Sequence, residues 1–180
     1  ILHTSELDET RYKKTFNSIP SILGNWIHVK KGSNVIHKLI KYLSNMKFQQ
    51  LSCGIKNGDF IAFNKEKQDI YLKNDMFLQL SNSEGFAYAT LDAFMCGLVV
   101  VATNVGVCYG DVPEDCFVKL DWKRINDMEY VAERIKYAWE NREKISKKGR
   151  EWYMQNCRFQ DWKQTMNKYV HEKHIKQLDA

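Results

Sequence analysis

The sequence specifies an α/β protein, a Rossmann-like parallel sheet with helices on both faces, and three observations carry that reading. Short apolar runs rich in β-branched or aromatic residues recur, most clearly Met76–Leu80 and Leu98–Ala102. Helical patterns stand between such runs, and parallel neighbours require crossovers of that kind. Pro-rich, Gly/Ser-rich and repetitive segments are absent from the 180 residues, 44% of them hydrophobic, so the expectation is one domain spanning 1–180.

Taken in order, a helix is expected around Glu6–Phe16, then a strand at Ser21–Leu23 that runs into the loop Gly24–Gly32. Ser33 is the expected cap of the next helix, whose apolar stripe is Ile36, Leu39, Ile40 and Leu43. Strands near Phe48–Ser52 and Phe60–Phe63 follow, then a helix over Lys65–Lys73. The central unit is strand Met76–Leu80, loop Ser81–Gly85, helix Phe86–Cys96 and strand Leu98–Ala102. A short strand at Phe117–Leu120 completes the sheet, and the remainder reads as helical. Asn126 is the expected cap of the helix carrying Val131, Ile135 and Trp139, Gly149 interrupts the next, and Trp162, Met166 and Tyr169 mark the last.

In open parallel sheets ligands collect beyond the carboxyl ends of the strands, where Ser81, Asn82, Ser83 and Glu84 fall. The helix that follows presents backbone N–H groups with no intrahelical partner and a partial positive charge, a setting for an anion. Gly85 lets a phosphate or hydroxyl approach the main chain without meeting a Cβ, and Glu84 accepts hydrogen bonds from hydroxyls beside it. Asp92 lies eight positions on, roughly 12 Å along a helix axis. A nucleotide sugar has the matching layout, with its diphosphate between two hydroxyl-bearing rings. On spacing alone, a dipole partner and a solvated helix carboxylate explain Glu84 and Asp92 equally well.

Ser81, Glu84, Gly85, Phe86 and Ala87, followed by Leu91, Asp92, Ala93 and then Gly97-Leu-Val-Val-Val-Ala-Thr103, resemble a known pattern. It is that of the carboxy-terminal, nucleotide-sugar-binding half of GT-B-fold retaining glycosyltransferases, of the group 1, family 4 type. Phe117-Val-Lys-Leu120, Gly149-Arg-Glu-Trp152 and Phe159-Gln-Asp-Trp162 extend the similarity, which runs from about Ser21 to Val170. The resemblance implies that Glu84 holds donor-sugar hydroxyls, that Gly85 and Phe86 offer backbone N–H groups, and that Asp92 binds the ribose. Lys31, in a loop with Asn25 and Lys30, then faces the diphosphate, where a preorganised cation stabilises the departing charge. Ser83, Ala87 and Thr90 complete the implied donor set, with Glu84 and Lys31 as its catalytic members.

The same resemblance implies a glycosyltransferase of hexosyl type, with no cofactor and no metal. The terminal helices, about 142–178, would cross toward an amino-terminal acceptor domain supplied in cis or in trans. The acceptor would be lipid-linked or a polysaccharide at a membrane surface. Asn25 stands where the family has arginine, Ala87 and Val107 where it has glycine, and Asp92 where it has glutamate. These departures keep open an alternative, a degenerate and non-catalytic nucleotide-sugar-binding or scaffold module.

A net charge of +5 arises from helix faces such as Lys136–Arg150, so no nucleic-acid partner is expected. No apolar run approaches the roughly 18 residues of a membrane span, and a cytoplasmic protein, peripheral at most, is the expectation. Cys53, Cys96, Cys108, Cys116 and Cys157 form no Cys-x-x-Cys pair and no metal-ligand spacing. Cys96 reads as core rather than nucleophile. No Gly-x-Gly-x-x-Gly turn follows any strand, which argues against a dinucleotide oxidoreductase.

Overall fold

The computed structural model describes residues 4–13, 15–51 and 60–178, with backbone alone at 60–62 and 171–178. Five parallel strands, β1 (Ser21–Gly24), β2 (Lys47–Gln50), β3 (Met76–Gln79), β4 (Val99–Thr103) and β5 (Val118–Leu120), form one sheet in the order β2-β1-β3-β4-β5. Ile22 lies opposite Phe48 on one side and Met76 on the other, and β3 and β4 pair from Met76 with Val99 to Gln79 with Ala102. The two central strands are buried along their whole length, which explains why they read as continuous apolar runs.

One face is covered by α1 (Ser33–Tyr42) and α4 (Met128–Glu140), whose Ile36, Leu39, Val131 and Ile135 join Ile22, Leu78 and Val101 in one cluster. On the other, α2 (Phe60–Lys73), α3 (Tyr88–Met95) and α5 (Arg142–Asn156) bring Tyr71, Leu91, Phe94 and Tyr153 onto Leu23, Phe77 and Val100. A last helix, α6 (Phe159–Leu178), leaves this body with Tyr169 and Val170 exposed. Among the described residues no helix is long and apolar enough to cross a membrane.

Several expectations change. Residues 6–13 form no helix, because Asp8 accepts hydrogen bonds from the Thr10 amide and hydroxyl, a local turn that competes with helical bonding. Phe60–Phe63 is the first turn of α2 rather than a strand, since so short an apolar run fits either element and nothing breaks it before Asn64. Ser52 and Cys53 lie outside the described residues. Gly32, not Ser33, caps α1, and Val35 replaces the exposed Ile40 in its buried stripe. Asp127, not Asn126, caps α4 by accepting the Tyr130 amide at 3.0 Å.

Gly149 does not interrupt α5. It lies inside it, where a Cβ would stand 2.7 Å from Phe94 Cδ1 and 3.0 Å from the Cys116 carbonyl. The glycine therefore serves the close approach of α5 to α3. Cys96 is buried as core, and burial pushes its thiol up; the same cause lifts Cys108 to about 12 and Cys116 to about 11.

Candidate functional site

Strands β1 and β3 are neighbours, yet their crossovers leave in opposite directions, β1 toward β2 and β3 toward β4. Such a reversal opens a crevice at the carboxyl ends of the two strands. The loop after β1 is pressed into place from its first residues. At Gly24 a Cβ would lie 2.6 Å from the Leu78 carbonyl, and the Trp26 indole N–H donates to that same carbonyl at 3.1 Å. The loop closes in a 3₁₀ turn, Val29–Lys31, and Gly32 follows with φ +88. A Cβ there would meet Leu80 Cβ at 2.4 Å, so glycine is required both by its backbone angle and by the closeness of the end of β3.

The loop after β3 is fixed against the first. The Asn82 amide donates to the Lys30 carbonyl at 3.0 Å, and the Thr103 hydroxyl donates to the Ser81 carbonyl at 2.6 Å. These bonds carry Lys31 and Glu84 to one place. Lys31 Nζ lies 2.9 Å from Glu84 Oε1, and the Ser81 hydroxyl donates to the same oxygen at 2.7 Å. Around the pair is a cavity of about 310 Å³, reached by Asn25, Gln79, Phe86, Ala87 and Tyr88. It opens on the start of α3, the end of a helix that carries partial positive charge.

Two details shape the cavity wall. Ala87, the cap of α3, adopts a left-handed conformation with φ 68, and Gly106 faces it so closely that a Cβ there would lie 2.7 Å from Ala87 Cβ. The Val107 amide donates to the Phe86 carbonyl at 2.7 Å, tying this wall to the turn after β4. At the floor, Gln79 is 6% exposed and Thr90 donates its hydroxyl to Gln79 Oε1. Gln79 Nε2 and Asn25 Oδ1 are both buried without a hydrogen-bond partner.

Of the residues expected from the sequence, Asn25, Lys31, Glu84, Phe86 and Ala87 come together around this cavity. Thr90 is fully buried outside its lining and donates its hydroxyl to Gln79. Ser83 and Gly85 lie on open surface beside it, with nothing within 4 Å of a Cβ built on Gly85. Lys30 lines a separate hollow with Val29 and Trp122. Asp92 does not line the cavity: it is 2% exposed, accepts the Ser5 hydroxyl at 2.6 Å, and holds Lys67 Nζ at 2.5 Å. Its position on α3 turns it toward the amino-terminal segment and α2, contacts that spacing along one helix does not encode.

Gln79 was not anticipated, although a polar residue inside the apolar run Met76–Leu80 was the available signal. A larger hollow of about 720 Å³ lies elsewhere, between the amino-terminal segment and α5. Its Arg150 is engaged with the Met95 and Glu9 carbonyls and the Tyr12 ring, so that hollow is bounded by groups already committed to the fold. Among the described residues no group of three His, Cys, Asp or Glu gathers as a metal set.

The family model described as Glycosyl transferases group 1 matches residues 31–152, a span that holds both Lys31 and the whole central unit. The chain belongs to that family. Sucrose-phosphate synthase from Thermosynechococcus elongatus superposes on this chain with a TM-score of 0.73 at 14% identity, over 96% of this chain and 52% of that one. HepE from Anabaena, solved in complex with UDP and glucose, gives 0.70 at 11% identity over 94% and 56%. The C-terminal domain of LpcC, a group 1 family protein of Francisella tularensis, gives 0.51 at 16% identity over 86% of this chain and 95% of that domain. The chain thus spans about half the length of the first two, and shares with them the Rossmann-like sheet of a GT-B half. No curated protein sequence matches it significantly.

Proposed function

We propose that this glycosyl transferase chain binds a nucleoside-diphosphate sugar at the carboxyl ends of β1 and β3 and presents it for transfer with retention of configuration. The single observation that carries the reading is the meeting of Lys31, Glu84 and the first turn of α3 around one cavity. In it the diphosphate lies between the Lys31 ammonium and the start of α3. Both stabilise the charge that develops as the glycosidic bond breaks, a role Lys31 fills without a metal. Glu84, held by Ser81, accepts hydrogen bonds from the sugar hydroxyls and positions the ring. Donor entry exchanges the Lys31–Glu84 contact for one contact from each partner to the ligand. The acceptor site and the other wall of the cleft come from an amino-terminal domain outside this chain, acting in cis or in trans.

The complex of HepE with UDP and glucose supports the choice of ligand class. A second reading, a binding module without transfer, draws on the engagement of Asp92 by Lys67 and Ser5. In the geometry at hand Asp92 belongs to the fold, and Asp92→Ala is expected to lower stability rather than nucleotide affinity. Calorimetric titration of the purified protein with UDP, GDP and ADP, and with the glucose and mannose conjugates of each, tests the proposal. Saturable binding of one diphosphate and of its sugar conjugate is expected, and a folded protein that binds none of them would sink it. Release of free sugar or transfer to an added acceptor separates the enzyme from the module.

A further inference from the structure

Gln79 is a polar side chain in a strand whose other residues are apolar or main-chain neighbours of the core, and it is 94% buried by its 6% exposure. Thr90, in the first turn of α3, hydrogen-bonds its amide head. An amide has one acceptor and one donor end, and a single hydroxyl satisfies only one of them, so either orientation of Gln79 leaves one end unpaired. That end is Nε2, buried without a partner, on a side chain that lines the same cavity as Lys31 and Glu84. Asn25 lines the same cavity, and its Oδ1 is an acceptor that is likewise buried and unpaired. An unsatisfied donor and an unsatisfied acceptor on two residues that line one hollow are costly in the empty protein, and a ligand that reaches both would relieve that cost.

Resting on the donor-site reading above, we infer that Gln79 is a specificity-determining residue that hydrogen-bonds a neutral polar substituent of the donor sugar, with Asn25 as the complementary acceptor. A sugar hydroxyl donates and accepts at once, and so does an acetamido group; either meets both amides. A carboxylate only accepts and would leave Asn25 unpaired beside the Glu84 carboxylate, so neutral sugars are the class this floor favours. Thr90 acts as a positioning residue, holding the amide head so that little ordering is left to the ligand.

The test separates sugar recognition from nucleotide recognition. With whichever of UDP, GDP or ADP the purified wild type binds, affinity is measured for the diphosphate and for its glucose or mannose conjugate, in wild type, Gln79→Leu and the closer isostere Gln79→Met. Both variants are expected to keep the diphosphate affinity within about twofold and to weaken the conjugate about tenfold, about the effect of one lost hydrogen bond. A conjugate affinity unchanged in either folded variant overturns the inference while the donor-site reading stands. Parallel weakening of diphosphate and conjugate assigns Gln79 a structural part and also overturns it. Failure of the wild type to bind any diphosphate defeats the underlying reading instead.

Discussion

Ala87 is the one described non-glycine residue with positive φ, and it sits on the cavity wall. A left-handed conformation costs an L-residue roughly 1–2 kcal/mol, whereas glycine's extra freedom in the unfolded chain returns about 0.5–1 kcal/mol of that. Ala87→Gly is therefore expected to stabilise the protein by about 0.5–1 kcal/mol, read as a higher urea midpoint with an unchanged slope. An equal or lower midpoint would mean that packing against Gly106, not backbone strain, governs the site. Lys31 and Glu84 make opposite demands on ligands. Lys31→Met should weaken the diphosphate and its sugar conjugate together, by tenfold or more, given about 1.5–3 kcal/mol for a hydrogen bond to a charged group. Glu84→Gln should spare the diphosphate and weaken the conjugate alone. If calorimetry shows the two variants behaving alike, the division of labour between them is wrong.

The strand, loop and helix from Met76 to Met95 were readable because every signal there is local: two apolar runs, a polar loop with a glycine, and an abrupt return to an apolar strand. The converging pair Lys31 and Glu84 was readable only through resemblance, since the bonds that align the two loops cross between β1 and β3. The surroundings of Asp92 were not readable for the complementary reason: its partners Ser5 and Lys67 come from two other parts of the chain. Gly149 shows the same limit in an element. As a helix-interior glycine it looks like a breaker, yet its cause lies in α3, where Phe94 is fully buried and set edge-on to Trp152 with centroids 5.6 Å apart. Gly149→Ala gains about 1 kcal/mol of helix propensity but forces a ring that has no room to yield, which costs about 1–3 kcal/mol. A net destabilisation is expected, with the penalty reduced in a Phe94→Leu background. A stabilised single variant would show that α5 can move away from α3.

The amino-terminal segment ties the molecule together from the side opposite the site. Its Lys13 amide donates to the Cys96 carbonyl at 2.8 Å just before β4, and Glu9 Oε1 accepts the Phe159 amide at 2.8 Å at the start of α6. The firmest point is Asp75, at the entry to β3, whose side chain is fully buried with Lys13 Nζ 3.0 Å away. Burial pushes the Asp75 carboxyl up, but hydrogen bonds from the Asn17 amide and from Ser21, together with Lys13, outweigh it and hold the group below the ordinary carboxylate range. A carboxyl depressed in the folded state contributes stability that is fully present above its unfolded value of about 3.9 and is lost as pH falls through the folded value. Asp115, lowered by its Lys148 hydrogen bond, and Asp127, lowered by the Tyr130 amide, are in solvent and add little. Urea unfolding of the wild type should thus give a nearly level free energy from neutral pH down to about 5 and a steep decline below about 4. Asp75→Asn leaves Lys13 buried without its counter-charge and should cost about 3–5 kcal/mol at neutral pH, while flattening the acid decline. Adding Lys13→Met to that variant should recover part of the neutral-pH loss without restoring the acid limb. An Asp75→Asn protein that keeps the wild-type decline would move the source of acid sensitivity to another carboxylate and deny the amino-terminal anchor its proposed electrostatic basis.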